Sequence, residues 1–237
     1  ASHARNIGMD IARGDFITFL DSDDEYFPTK IAKQLELLIS DKNSNLGIVS
    51  CGAIDFLNGI EYNRRLPIKR KNYYKSLLSK EKKIGAGTPF LMIKSSIFKK
   101  ENISFDTSLK AMEDWDFVLQ IVKTHDFGFV NDYLVKVNHH KNDRLYTSIN
   151  ASEALLVQYA KYRECLIKEP SSQVKFIKNA ASLIAHHDSI KKSLNFLSSS
   201  ISDINKFHFR LEILFFRLLI HLFKFKIIKL FYLKFYK

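Results

Sequence analysis

Phe16-Ile17-Thr18-Phe19-Leu20-Asp21-Ser22-Asp23-Asp24 decides how the rest of the chain is read. An apolar run stops abruptly at carboxylates, the pattern of a buried strand that delivers acidic side chains to the mouth of a sheet. Two carboxylates at i and i+2 on a tight turn can hold a hard divalent cation, and such a cation can hold a diphosphate. The plainer reading of the same residues is a solvated acidic turn or a helix N-cap.

Elements follow on both sides of this stretch. Residues 1–13 have helical spacing, with Ile7 and Ile11 four apart, and Gly14 ends that helix before a strand at 16–20. Phe27-Pro28-Thr29 leads into a helix over 29–40 whose expected apolar face is Ile31, Leu35, Leu38 and Ile39, closed by Asn43-Ser44-Asn45. Residues 46–57 read as a strand, and the basic segment 58–83 as a surface loop with a short helix. Gly85-Ala86-Gly87-Thr88-Pro89 is a loop, Phe90 to Ile93 a strand, and 95–100 one helical turn. Met112-Glu113-Asp114-Trp115-Asp116 opens a helix to Thr124, and 127–130 and 133–137 read as two short strands. From Ser152 the pattern is helical, broken at Pro170 and near Ser198-Ser199-Ser200. Alternating strands and helices argue an α/β domain over 1–150, followed by a helical region over 151–237.

The totals bound the function. A chain of 237 residues with 46% hydrophobic residues and 20 Phe buries one good core. Cys51 and Cys165 match neither a metal spacing nor a disulfide framework, which points to a reducing compartment. The net charge of +12 is uneven: residues 206–237 carry eight Lys or Arg against the single acid Glu212. A basic tail of this kind suits a polyanionic surface.

The context of the acidic turn narrows its reading. Ala4-Arg5-Asn6-x-Gly8-x-x-x-Ala12-Arg13-Gly14-Asp15-Phe16-Ile17-x-Phe19-Leu20-Asp21-x-Asp23-Asp24 resembles the central motif of family 2 glycosyltransferases of the GT-A fold. The resemblance runs over residues 1–145 and implies a Rossmann-like nucleotide-diphospho-sugar transferase domain. It implies that Asp21 lies near the ribose and sugar, and that Asp23 coordinates Mg²⁺ or Mn²⁺ bridging the diphosphate. Asp24 is then a helix cap or a support for the turn, and Arg5 lies close to the nucleotide, with a surface salt bridge as its plainer role. The family also carries a Glu-Asp pair where this chain has Glu113-Asp114, which maps Asp114 to the general base and Glu113 to acceptor binding. Acids at a helix start also favour the macrodipole, the ordinary reading of that pair. Trp115 is either a sugar-stacking or a core residue. His139 and His140 sit where many members place a histidine that contacts the diphosphate or completes the metal shell, and Arg144 is a phosphate partner in the same loop. The family's opening strands normally precede the Ala-Arg-Asn helix, so the resemblance implies an N-terminally truncated domain.

The tail reads as an interfacial helix. Lys206, Arg210, Arg217, His221 and Lys224 fall on one helical stripe, among Phe, Leu and Ile, and no uncharged run reaches bilayer-spanning length. Nothing resembles a nucleic-acid reading module. The expectation is therefore an inverting glycosyltransferase that moves a sugar from a nucleotide-sugar donor to a glycan or lipid-linked acceptor. Its expected setting is bacterial surface polysaccharide synthesis, such as lipopolysaccharide, in the cytoplasm and peripheral on the inner face of the bacterial membrane. Two alternatives stay open: a haloacid-dehalogenase-type phosphatase with Asp21 as nucleophile, and a non-catalytic membrane-associated scaffold.

Overall fold

The computed structural model describes residues 1–40, 45–139 and 148–223. The α/β reading holds. Helix α1 (Ser2–Ile11) leads into β1 (Phe16–Thr18), β2 (Glu25–Tyr26), α2 (Lys30–Ser40), β3 (Leu46–Leu57) and β4 (Ile60–Arg65). There follow α3 (Tyr73–Leu78), a single 3₁₀ turn at Thr88–Phe90, β5 (Met92–Lys94), α4 (Ser95–Glu101), α5 (Glu113–Ile121) and β6 (Asp126–His139). Helices follow: α6 (Ser148–Lys161), α7 (Arg163–Lys168), α8 (Pro170–His187), α9 (Ile190–Ile201) and α10 (Phe207–Phe223).

The strands form one mixed sheet in the order β1-β5-β3-β6-β2, with β4 also on β3. β3 is its axis. It runs parallel to β6 along one edge, while its other edge is shared, first with β5 at Ile48 and Val49 and then with β4 from Ala53 to Leu57. Its first eight residues are buried, as a strand covered on both faces must be. The β3–β6 register slips around Gly52: Cys51 faces Val130, Gly52 faces Tyr133 and Ala53 faces Val135. A Cβ at Gly52 would lie 2.8 Å from the Arg65 carbonyl oxygen and 2.9 Å from that of Asp132, so only glycine lets the strands close here. The two short strands expected over 127–137 are thus one irregular strand.

Two other expectations change and one is sharpened. The segment 58–83 contains the strand β4, whose residues are all exposed and so lack the alternation that marks a half-buried strand. The break expected near Ser198-Ser199-Ser200 falls just after them, where α9 ends at Ile201, and the serines themselves are helical. Ser198 and Ser200 donate to the carbonyls of Leu194 and Phe196 four residues back, which satisfies them inside α9. The buried face of α2 is Lys30, Gln34 and Leu38, with Ile31 44% and Ile39 56% exposed. Gln34 donates to the carbonyls of Val49 and Phe90, and Lys30 donates to Gln34 at 2.7 Å and lies 4.1 Å from the Tyr26 ring centre. Apolar periodicity is blind to such a satisfied polar seam.

The chain divides into two compact units, 1–74 with 83–145, and 75–82 with 146–237. In the second, Asp203 accepts from Arg163 and from the Tyr159 hydroxyl, while Gln173 donates to its backbone carbonyl. Asn179 donates to the Ser79 carbonyl and Lys175 pairs with Glu81, which ties the short segment 75–82 to α8. Among the described residues no helix is long and apolar enough to cross a membrane.

Candidate active site

The acidic turn and the Glu113-Asp114 pair meet at Arg5. Its guanidinium donates to Glu113 at 2.7 Å and to Asp21 at 3.1 Å. The Arg5 and Glu113 side chains are 16% and 18% exposed, whereas Asp21 is 43% exposed and open to solvent. Burial lowers the Arg5 pKa, but its two carboxylate partners outweigh that and hold it above the ordinary value.

Packing explains why these segments converge. Asn6 makes a reciprocal pair with the backbone of Phe105, donating at 2.9 Å and accepting at 2.8 Å, and Arg5 lies over the Phe105 ring. The Phe105 ring stacks on Phe117 at 4.0 Å, and Phe19 meets both edge-on. Phe19 is two residues before Asp21, and Phe117 is three after Asp114, so one aromatic cluster sets both acidic segments. Met112, just before α5, holds φ 58°, a left-handed conformation that a side chain of this size rarely adopts and that turns the chain sharply into Glu113.

The turn itself closes through the Asp24 amide, which donates to the Asp21 carbonyl at 3.1 Å. The expected strand stops at Thr18; beyond it the Tyr26 hydroxyl takes the Phe19 carbonyl. Asn138 at the end of β6 fastens the other side, its amide donating to the Asp24 carboxylate and its side chain to the Asp23 carbonyl at 2.7 Å. Burial, with the charges of Asp23 and Asp21, pushes the Asp24 carboxyl up to about 6, against the pull of the Asn138 amide and His139. Such crowded negative charge is what a cation relieves. Asp24 therefore supports the turn and leaves Asp23 exposed. Asp114 sits in the first turn of α5, accepting from the Trp115 amide at 2.7 Å, and Trp115 is partly buried.

Asp21 and Asp23 are oxygen donors of the type Mg²⁺ and Mn²⁺ take, and those ions are commonly held by one or two carboxylates with substrate phosphates. Among the described residues no group of three or more His, Cys, Asp or Glu converges on a metal position. Asp21 and Asp23 would thus supply part of a coordination shell, with a bound diphosphate supplying the rest. His140 and Arg144 lie outside the described residues.

Sequence reading missed a second cluster. Asp55 of β3, its side chain 3% exposed, accepts from Arg65, from Asn63 at 2.8 Å and from His139 Nε2 at 3.2 Å. His139 is thereby held by Asp55, one residue after Asn138 holds the acidic turn. No short motif marks this network, since its members lie on three strands. Gly85, at φ 77°, presses onto β3, where Ser50 donates to its carbonyl at 2.6 Å.

Known proteins resemble this chain in sequence and in fold. Residues 1–101 match the family described as Glycosyl transferase family 2. An uncharacterized glycosyltransferase of Haemophilus influenzae is 27% identical over 189 residues, which is 78% of this chain and 62% of that protein. The amylovoran biosynthesis glycosyltransferase AmsB of Erwinia amylovora is 26% identical over 141 residues, 58% of this chain and 46% of its own length. The chain thus spans less than two thirds of either relative. The crystal structure of S. aureus TarS 1-349 in complex with UDP-GlcNAc aligns with a TM-score of 0.59 at 13% identity, covering 86% of this chain and 62% of that one. The likeness to TarS is one of fold.

Proposed function

We propose that this chain, which over residues 1–101 belongs to glycosyl transferase family 2, moves a sugar from a nucleoside-diphosphate donor to an acceptor hydroxyl. The observation that carries the reading is Arg5 joining Asp21 to Glu113, because it puts the donor-side turn and the acceptor-side pair at one place. Asp21 and Arg5 address the nucleotide and sugar. Asp23 would hold Mg²⁺ or Mn²⁺ beside the diphosphate, and the ion would supply positive charge to offset what builds on the leaving group. Asp114 takes the proton of the acceptor hydroxyl as its oxygen attacks the anomeric carbon. The bond to the diphosphate breaks on the opposite face, so configuration inverts. Glu113 orients the acceptor through its bond to Arg5. His140 and Arg144 are assigned to the diphosphate side by the family resemblance alone.

The acceptor is a glycan or lipid-linked saccharide, and the AmsB relationship favours surface polysaccharide synthesis. UDP-GlcNAc, bound by TarS, is the first donor to test. In the test, donors are screened for Mn²⁺-dependent thermal stabilisation and then for transfer. Asp114→Ala is expected to keep donor binding and to lose about a hundredfold or more in transfer rate. Transfer at the wild-type rate by Asp114→Ala would overturn the base assignment.

A further inference from the structure

Helix α10 has two apolar faces, and the fold uses one. Ile213, Phe216 and Ile220 are buried, and the helix packs on α8 and α9. Lys178 pairs with Glu212 at 2.8 Å, and Arg210 Nε donates to the Ile204 carbonyl, which fixes the rotation of α10 about its axis. The opposite face carries Phe207, Leu211, Leu214, Phe215 and Leu218, between 43% and 73% exposed. Their spacing, i, i+4, i+7, i+8 and i+11, is one continuous stripe. Among the described residues of this unit, the other exposed large apolar side chains are Leu156 and Val157 of α6.

The cations are placed on one flank of that stripe. At 100° per residue, Lys206, Arg210 and Arg217 fall between the buried face and the free one, while Glu212 falls on the far side. Exposed apolar residues alone would fit another protein as well as a lipid. A row of cations along the stripe fits an anionic bilayer, where apolar side chains enter the acyl boundary and cations stay with the phosphates. We infer that the free face of α10 docks in the plane of an anionic membrane. The charge of the sequence that follows has the same sign, with Lys224, Lys226, Lys229, Lys234 and Lys237. This inference stands on the helical unit and is independent of the transferase reading.

The test is flotation of the 237-residue chain with phosphatidylglycerol-containing vesicles and with phosphatidylcholine vesicles. The chain is expected to float with the anionic vesicles and to be released as salt rises. Combined replacement of Leu211, Phe215 and Leu218 by Gln should cut binding about tenfold or more, with helical content and thermal unfolding unchanged because those side chains are exposed. Arg217→Gln should weaken binding about fivefold and reduce its salt dependence. Failure of the chain to float with anionic vesicles at low salt would overturn the inference. So would equal binding by the triple variant, or a chain whose dimer mass, rather than its vesicle binding, falls with that substitution.

Discussion

Asp21 and Asp55 belong to one sheet and are treated in opposite ways. Asp21 follows the short strand β1, is 43% exposed, and among the described residues pairs with Arg5. Asp55 lies in β3, is 3% exposed, and takes hydrogen bonds from Arg65, Asn63 and His139. One carboxylate keeps capacity for an incoming group; the other has spent it on the fold. A wet carboxylate costs little to leave open, whereas a buried one must be satisfied or it destabilises the chain. The acidic turn can therefore vary its partners during a reaction while the neighbouring network keeps its shape.

Substitutions can break or sharpen this contrast. The largest effect is expected for Asp23→Ala, which should lower metal-dependent donor affinity about a hundredfold while barely moving thermal unfolding. Comparable destabilisation would mean that the turn is structural. Asp55→Ala should do the reverse, costing about 3 kcal/mol in urea unfolding because three donors lose their acceptor, with Asp55→Asn in between. Unchanged stability in Asp55→Ala would show that the network is not saturated.

A third effect concerns the seam under the turn. Burial lowers Lys30 to about 8, so in the folded state it gives up its proton more readily than in the unfolded chain. The unfolded chain then holds more protons between that value and the ordinary 10.5, and stability rises with pH through the window. From about pH 7 to 9 the gain is about 1 kcal/mol. Cys51, pushed up to about 12 by burial, subtracts from it as its unfolded thiol ionises. Lys30→Met should abolish the rise, as read from denaturant midpoints at the two pH values. The smallest effect belongs to the exposed Arg64–Glu61 pair, where Arg64→Ala should leave the denaturant midpoint unchanged, because water screens the pair.

The chain shows some of this in its sequence and hides the rest for definite reasons. β3 and α5 announce themselves, β3 by a mostly apolar run and α5 by acids in its first turn. The Asp21-x-Asp23 turn is legible because strand, turn and carboxylates are contiguous. Asp55, Asn138 and Arg65 are not, because pairing across β3, β4 and β6 brings them together from distant positions. Lys30 and Gln34 mislead for another cause: burial of polar groups that find partners leaves no apolar signature, and Ile31 and Ile39 supply a false one on the outer face.

The slipped register at Gly52 carries one more implication. Beyond it β6 reaches its partner with three residues more than β3 has used, and Asn138 and His139 inherit their facing from that surplus. Alternate residues of a strand point to opposite sides, so deleting a single residue between Val130 and Val135 would trade their directions. The histidine would then be offered to the acidic turn and the asparagine to Asp55. Chain length at this one irregularity, more than any single side chain, decides which of the two side chains meets the acidic turn and which meets Asp55.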